Sequence, residues 1–213
     1  MFLEISSEIN HYFRKPNIYN IMQDFLLYLD LGWEHIISLD ALDHQLFLLA
    51  LIAIYSYTDW KKILILVTAF TIGHSATLVL SILDIVKVSS SWIEFLIPLT
   101  IVLTSVGNIL MKNKKQSQGK INYYLALFFG LIHGLGFANT ARLMIAKSQS
   151  IALPLLGFNI GLELGQIVIV IGILILLFIL LKIFKINKKD WTLFLSSAVF
   201  ALALKMTLER IPF

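Results

Sequence analysis

The chain contains no cysteine, so disulfides and thiolate metal sites are both excluded. Any metal it binds must be held by His, Asp, Glu, Asn or backbone oxygen. Charged residues are also scarce, at 14% of the 213 positions, where a soluble domain carries about a quarter. Apolar residues make up 58%, against about 45–50% in soluble domains. A mean hydropathy of +0.85 completes a composition that does not fit a soluble globular fold. A cleavable signal peptide is not expected, because the first thirty residues carry Glu4, Glu8, Arg14, Lys15, Pro16 and Asp24. No internal repeat stands out, and the only low-complexity loop is the short "KNKKQSQGK". The net charge of +4 is modest, and the basic residues sit mainly between apolar blocks. That pattern suits topology and lipid headgroups, not nucleic acid.

What is present is a series of long uncharged apolar blocks, and about twenty such residues cross a bilayer core. Ile63–Val86, Ser91–Met111, Ile121–Ile145, Ile151–Ile183 and Trp191–Leu208 all meet that length. Gln45–Tyr57 reaches it only if its helix starts near Leu39 or Asp40. The stretch Asn17–Leu39 is mixed polar and aromatic and reads as an interfacial, amphipathic or partly re-entrant helix. The expected fold is all-α and polytopic, with about six transmembrane helices after an N-terminal amphipathic or re-entrant segment. Residues 1–38 form that segment, and residues 39–213 form a single membrane domain. The loops after the first, third and fifth spans hold ten lysines: Lys61, Lys62, Lys112, Lys114, Lys115, Lys120, Lys182, Lys185, Lys188 and Lys189. The opposite side holds six basic residues: Arg14, Lys15, Lys87, Arg142, Lys147 and Arg210. The positive-inside tendency therefore places both termini outside the cytoplasm.

Ionisable groups inside a span cost several kcal/mol unless they face a partner or a watery cavity, so each is a functional candidate. Their depth is informative. His74 lies thirteen residues from both Lys61 and Lys87, and His133 lies thirteen past Lys120. Both are therefore near mid-membrane. Asp43 and His44 sit about 25 Å from the lysine-rich edge, at about 1.5 Å per residue. Glu94, Asn159 and Glu163 come in from that same outer side. Spacing adds to depth: Asp40 and His44 are i, i+4, and Asn159, Glu163 and Gln166 make an i, i+4, i+7 stripe. Thr71, His74 and Ser81 share a helix face, and Glu94 and Asn108 are close to four whole turns apart. A set of imidazoles and carboxylates suits Zn, Ni, Co, Mn or Fe better than Ca or Mg.

The expected ligand set is drawn from His44, His74, His133, Asp43, Asp40, Glu94 and Glu163. Asn159, Gln166, Ser75 and Asn108 are expected to support it. Blander roles exist for each residue. A lone histidine can simply bond a neighbouring helix, and Asp40, Asp43 and Glu94 can cap first helical turns. Gly130, Gly134 and Gly136 can allow close helix packing. On this reading His35 lies at the interface and His11 in a solvated tail.

Five stretches, in order, resemble the motif series of the HupE/UreJ family of bacterial membrane proteins. They are "LDHQLFLLAL", "FTIGHSATLVL", "WIEFLIPLTIVLTSVGNIL", "FGLIHGLGFA" and "FNIGLELGQ", and they span roughly Trp33 to Val170. The resemblance implies a multi-pass protein of the bacterial inner membrane that supplies nickel to hydrogenase or urease, generally as a nickel or cobalt permease. Metalloenzyme maturation machinery would then be a partner. It implies roles for Asp43, His44, His74, Glu94, His133 and Glu163. The chain departs from the nickel-linked pattern before the "DH" pair, where it reads "GWEHIISLDALDH", with Glu34, His35 and Asp40. A second function remains open: an intramembrane zinc-type hydrolase of a lipid or lipid-linked substrate, with Asp43, Glu94 or Glu163 as general base.

Overall fold

The computed structural model describes residues 18–110, 119–145 and 151–212. The expectations for His11, Arg14, Lys15, Lys112, Lys114, Lys115 and Lys147 lie outside them. Seven α-helices occur among the described residues, with no strand. They are α1 (Ile18–Ile37), α2 (Leu42–Ile52), α3 (Trp60–Ile82), α4 (Ser90–Leu110), α5 (Gly119–Ile145), α6 (Ala152–Lys182) and α7 (Lys188–Glu209). The last five are each long and apolar enough to cross a membrane. A sixth crossing is available if α1 and α2 count as one broken span.

The apolar run expected to extend from Leu39 is split. A single 3₁₀ turn, Leu39–Ala41, separates α1 from α2, and the two helical pieces meet at 59°. The eleven residues of α2 rise only about 16 Å, half a hydrocarbon core. The break follows from local chemistry. Ser38 caps the short turn, its hydroxyl accepting from the Asp40 N–H at 3.2 Å. A broken helix in lipid leaves carbonyl groups that water cannot satisfy. Gln45 answers that need, its Nε2 lying 3.1, 3.2 and 3.0 Å from the carbonyl oxygens of Ile36, Ile37 and Ser38.

Three intimate helix pairs build the bundle: α3 with α5, α1 with α6, and α4 with α7. Lipid is as apolar as a leucine side chain, so burial alone does not join helices there; close backbone approach does. Gly157, Gly161 and Gly165 recur every fourth residue along α6. A Cβ placed on Gly161 would collide with the Leu29 carbonyl oxygen of α1, and one on Gly32 with the Phe158 carbonyl of α6. The α1–α6 pair is thus in backbone contact at its crossing. Replacing Gly161 by Leu is expected to lower stability by about 1–3 kcal/mol through overpacking. Thermal unfolding of the purified protein in detergent measures this. Gly107→Ala, where an added Cβ meets nothing within 4 Å, should leave the transition unchanged.

Two apolar cores result. One gathers Phe47, Phe70, Ile101, Phe129 and Val199; the other gathers Tyr28, Ile36, Leu78, Phe158 and Leu162. Between them lies a polar pocket of imidazoles. At the far end of α3, Asp84 turns the chain with φ 62°, a left-handed conformation that Asp adopts more readily than most residues. Its exposed carboxylate pairs with Lys87 at 2.6 Å and Arg142 at 3.1 Å. The Lys87 hydrogen bond holds that carboxyl below the usual carboxylate range.

Candidate metal centre

Two of the histidines are delivered by the α3–α5 crossing. A Cβ on Gly134 would strike the carbonyl oxygen of His74, and a Cβ on Gly130 the carbonyl of Phe70. Glycine at 134 therefore lets the backbone that carries His133 lie directly against the backbone that carries His74. The other two come from the elbow. His35 is in the last turn of α1 and His44 in the first turns of α2. The bend at Ser38 folds these residues, nine apart in sequence, to a ring-centroid separation of 4.8 Å.

The four rings form one cluster. The His44 ring centroid lies 5.1 Å from that of His133 and 6.1 Å from that of His74, and His35 lies 6.0 Å from His74. One nitrogen each from His35, His44 and His74 falls within 4.8 Å of the others. His74 is fully buried, His133 is 1% exposed and His44 is 5% exposed. Their hydrogen bonds leave a consistent set of free lone pairs. His44 Nδ1 donates to Asp43 Oδ1 at 2.8 Å, and His133 Nδ1 donates to the Phe129 carbonyl at 2.8 Å. In both rings Nε2 is then the unprotonated nitrogen. Buried nitrogens without a partner are His35 Nε2, His44 Nε2, His133 Nε2 and both nitrogens of His74.

Buried polar atoms are normally satisfied, so five unpartnered ring nitrogens on four neighbouring imidazoles call for an explanation. The nearest of these nitrogens, one each from His35, His44 and His74, lie close enough together to hold a divalent cation through their lone pairs. The Asp43–His44 contact has the form in which a carboxylate fixes the tautomer and orientation of an imidazole, as beside metal sites.

The cluster is reached from one end through a cavity of about 380 Å³. His35, His44 and His133 form part of its floor, and Glu34, Asp40, Asp43 and Glu94 line its walls. Glu34, Asp40 and Glu94 are exposed. A cleft carrying acids on low-dielectric walls focuses the field and concentrates cations. Pro98, inside α4, cannot donate to the Glu94 carbonyl one turn back, which leaves that oxygen without its helix donor. Arg210 is the cationic member of the lining, its Nη1 3.8 Å from Asp43 Oδ2. Asp43 is therefore shared between a histidine and an arginine.

A family model described as HupE / UreJ protein matches residues 12–210, nearly the whole chain. The chain belongs to the HupE/UreJ family. No curated protein and no solved structure gives a match.

In this HupE/UreJ chain the expected site residues separate into three groups. His44, His74 and His133 converge, with Asp43 bonded to His44. Asp40 and Glu94 line the approach without joining the imidazoles; Asp40 lies in the 3₁₀ turn, so it shares no continuous helix face with His44. The polar stripe on α6 faces α3 instead. Glu163 Oε1 accepts from Thr68 at 2.7 Å and Gln166 Oε1 from Thr71 at 2.8 Å. Ser75 donates to the Thr71 carbonyl of its own helix at 2.7 Å. Asn108 Nδ2 donates to the Ala50 carbonyl at 2.7 Å, and Asn159 Oδ1 is buried without a partner. His35 is the ring that sequence reasoning missed. The available signal was the "EHIISLDALDH" spacing, which becomes informative once the helix is known to break at Ser38.

Proposed function

We propose that this chain is a membrane permease for a divalent transition metal of the nickel or cobalt type. The observation that carries the reading is the four-helix imidazole cluster with unpartnered nitrogens at the floor of an acid-lined cavity. Glu34, Asp40 and Glu94 draw in a hydrated cation and strip some of its water. His35, His44 and His74, whose nitrogens lie within 4.8 Å of one another, then bind it with His133 beside them, while Asp43 orients His44 and balances the buried charge. Neutral imidazole selects borderline ions such as Ni, Co and Zn over Mg and Ca, which demand oxygen. The family resemblance favours nickel or cobalt among these. In this proposal the cavity mouth and both termini face the non-cytoplasmic side of a bacterial inner membrane, in keeping with the lysine asymmetry. Metal released on the cytoplasmic face would go to metalloenzyme maturation machinery.

Reconstituted vesicles test this. Pure protein should take up labelled Ni²⁺ or Co²⁺, with Mg²⁺ failing to compete. Because protons and metal compete for the same lone pairs, affinity should fall as pH is lowered. A zinc-type hydrolase is the second reading. It is favoured by the room beside the imidazoles, where Glu94 lines the same cavity of about 380 Å³ and could act as a base. Absence of flux through protein that still binds metal, together with metal-dependent lipid hydrolysis, would replace the permease by the hydrolase.

A further inference from the structure

Where the α4–α7 pair meets the α3–α5 pair, a second cavity of about 380 Å³ opens between α2, α4 and α5. Its floor is apolar and buried, with Leu51, Ala126 and Phe129. Leu103, Leu125 and Phe128 form an exposed rim. The rim belongs to α4 and α5, two of the helices apolar enough to cross a membrane, so it opens sideways onto acyl chains. Its lining includes no charged side chain. Thr104 turns its hydroxyl proton back to the Thr100 carbonyl of its own helix at 2.8 Å.

The amides of this crevice are gathered at one end. Asn108 lies two residues before the end of α4, and Asn122 three after the start of α5. Each uses one Nδ2 proton on protein: Asn108 donates to the Ala50 carbonyl at 2.7 Å, and Asn122 to the Tyr55 hydroxyl at 2.9 Å. An amide nitrogen carries two protons, so one donor on each is left over. In hydrocarbon no water is at hand to accept it, and leaving it unbonded costs free energy. The sequence between the two asparagines carries Lys112, Lys114, Lys115 and Lys120.

An occupant that fits is long and apolar, with acceptor oxygens at one end and negative charge beyond them. A glycerophospholipid has that order: acyl chain, ester carbonyls, phosphate. The dimensions agree. From Asn122 to Phe129, α5 rises about 10 Å, which lies within one leaflet's share of a hydrocarbon core of about 30 Å.

We propose that this crevice binds one acyl chain of a glycerophospholipid from the leaflet at the lysine-rich end. The ester carbonyls accept the spare protons of Asn108 and Asn122, and the phosphate meets the lysine charge. The bound chain wedges between two helix pairs and ties them together. Binding of this lipid does not depend on the permease reading, and metal flux is not its measure.

Gly107 gives the test, since it lines the crevice and an added Cβ there meets nothing within 4 Å. Native mass spectrometry of the full-length protein, stripped of bulk lipid in detergent, should show one phospholipid retained per chain. Gly107→Ala should keep it. In Gly107→Phe the retained fraction should fall at least about fivefold, as the lower end of an overpacking penalty implies, with thermal unfolding showing the fold intact. A second measurement needs no variant. In liposomes, a phospholipid with a photoreactive group on its acyl chain should label Leu103, Leu125 and Phe128 in preference to Ile175 and Phe194, which are similarly exposed or more so elsewhere on the bundle. Wild-type protein without retained phospholipid, retention unchanged in folded Gly107→Phe, or labelling spread evenly over these residues would overturn the site. A retained mass matching only free fatty acid or detergent, or loss of a dimer in Gly107→Phe, would do the same by naming a different occupant.

Discussion

His74→Ala removes tight metal binding, with the dissociation constant for Ni²⁺ rising by at least about 100-fold. Losing a group that merely supports a ligand costs 10–100-fold, and His74 offers its nitrogens directly. No hydrogen bond competes for this ring. It is fully buried, and neither nitrogen has a hydrogen-bond partner. Its fold contribution is apolar contact with Phe70 and Phe158, whose ring centroids lie 6.3 and 6.2 Å away. His74→Leu keeps much of that contact while deleting both lone pairs. The two variants should therefore lose metal equally while differing in stability. Calorimetric titration of the purified protein, beside its thermal unfolding, reads both quantities. Wild-type affinity in His74→Leu would remove the imidazole cluster as the binding site.

Asp43→Asn should weaken binding by about 10–100-fold, the range for a carboxylate that orients a ligating histidine. Shape changes little, since an amide oxygen can still accept from His44 Nδ1. Charge changes fully. The Asp43 carboxylate is bonded to His44 at 2.8 Å and faces Arg210 at 3.8 Å, with only 15% of its side chain exposed. Its loss leaves a divalent ion among neutral rings with a nearby arginine uncompensated. Arg210→Gln should move affinity the other way, because it frees the Asp43 charge for the ion. Asp40→Asn and Glu94→Gln should slow uptake at low ionic strength and leave the equilibrium stoichiometry intact, as expected of steering charges. Affinity unmoved by Asp43→Asn would make the His44 contact a packing detail.

The helical, membrane-spanning class was legible because twenty-residue apolar blocks have one stable solution in lipid. The common level of His44, His74 and His133 was legible for a related reason. Residue counts from lysine-marked edges convert to depth in straight helices. Facing is harder to read, and there sequence reasoning ran out. The i, i+4, i+7 stripe of Asn159, Glu163 and Gln166 is real, yet periodicity does not say which neighbour it meets. Its Glu163 and Gln166 bond Thr68 and Thr71 of α3, and Glu163 is not among the residues lining the histidine cavity. His35 was hidden by a different cause. It sits in a mixed polar and aromatic stretch that resembles an interfacial helix, and its approach to His44 depends on the elbow at Ser38. That elbow is stabilised by Gln45, a long-range reader of three carbonyls that no local propensity reveals.

The four rings belong to four separate helices, α1, α2, α3 and α5, so an ion among them would act as a rivet through the bundle. An ion held only by the folded state at 100 times its dissociation constant adds about 2.7 kcal/mol of resistance to unfolding. Chelation would return the rings to mutual indifference and loosen the elbow first, since short α2 has the least intrinsic helical support. Metal supply would then govern how long each copy survives in the bilayer.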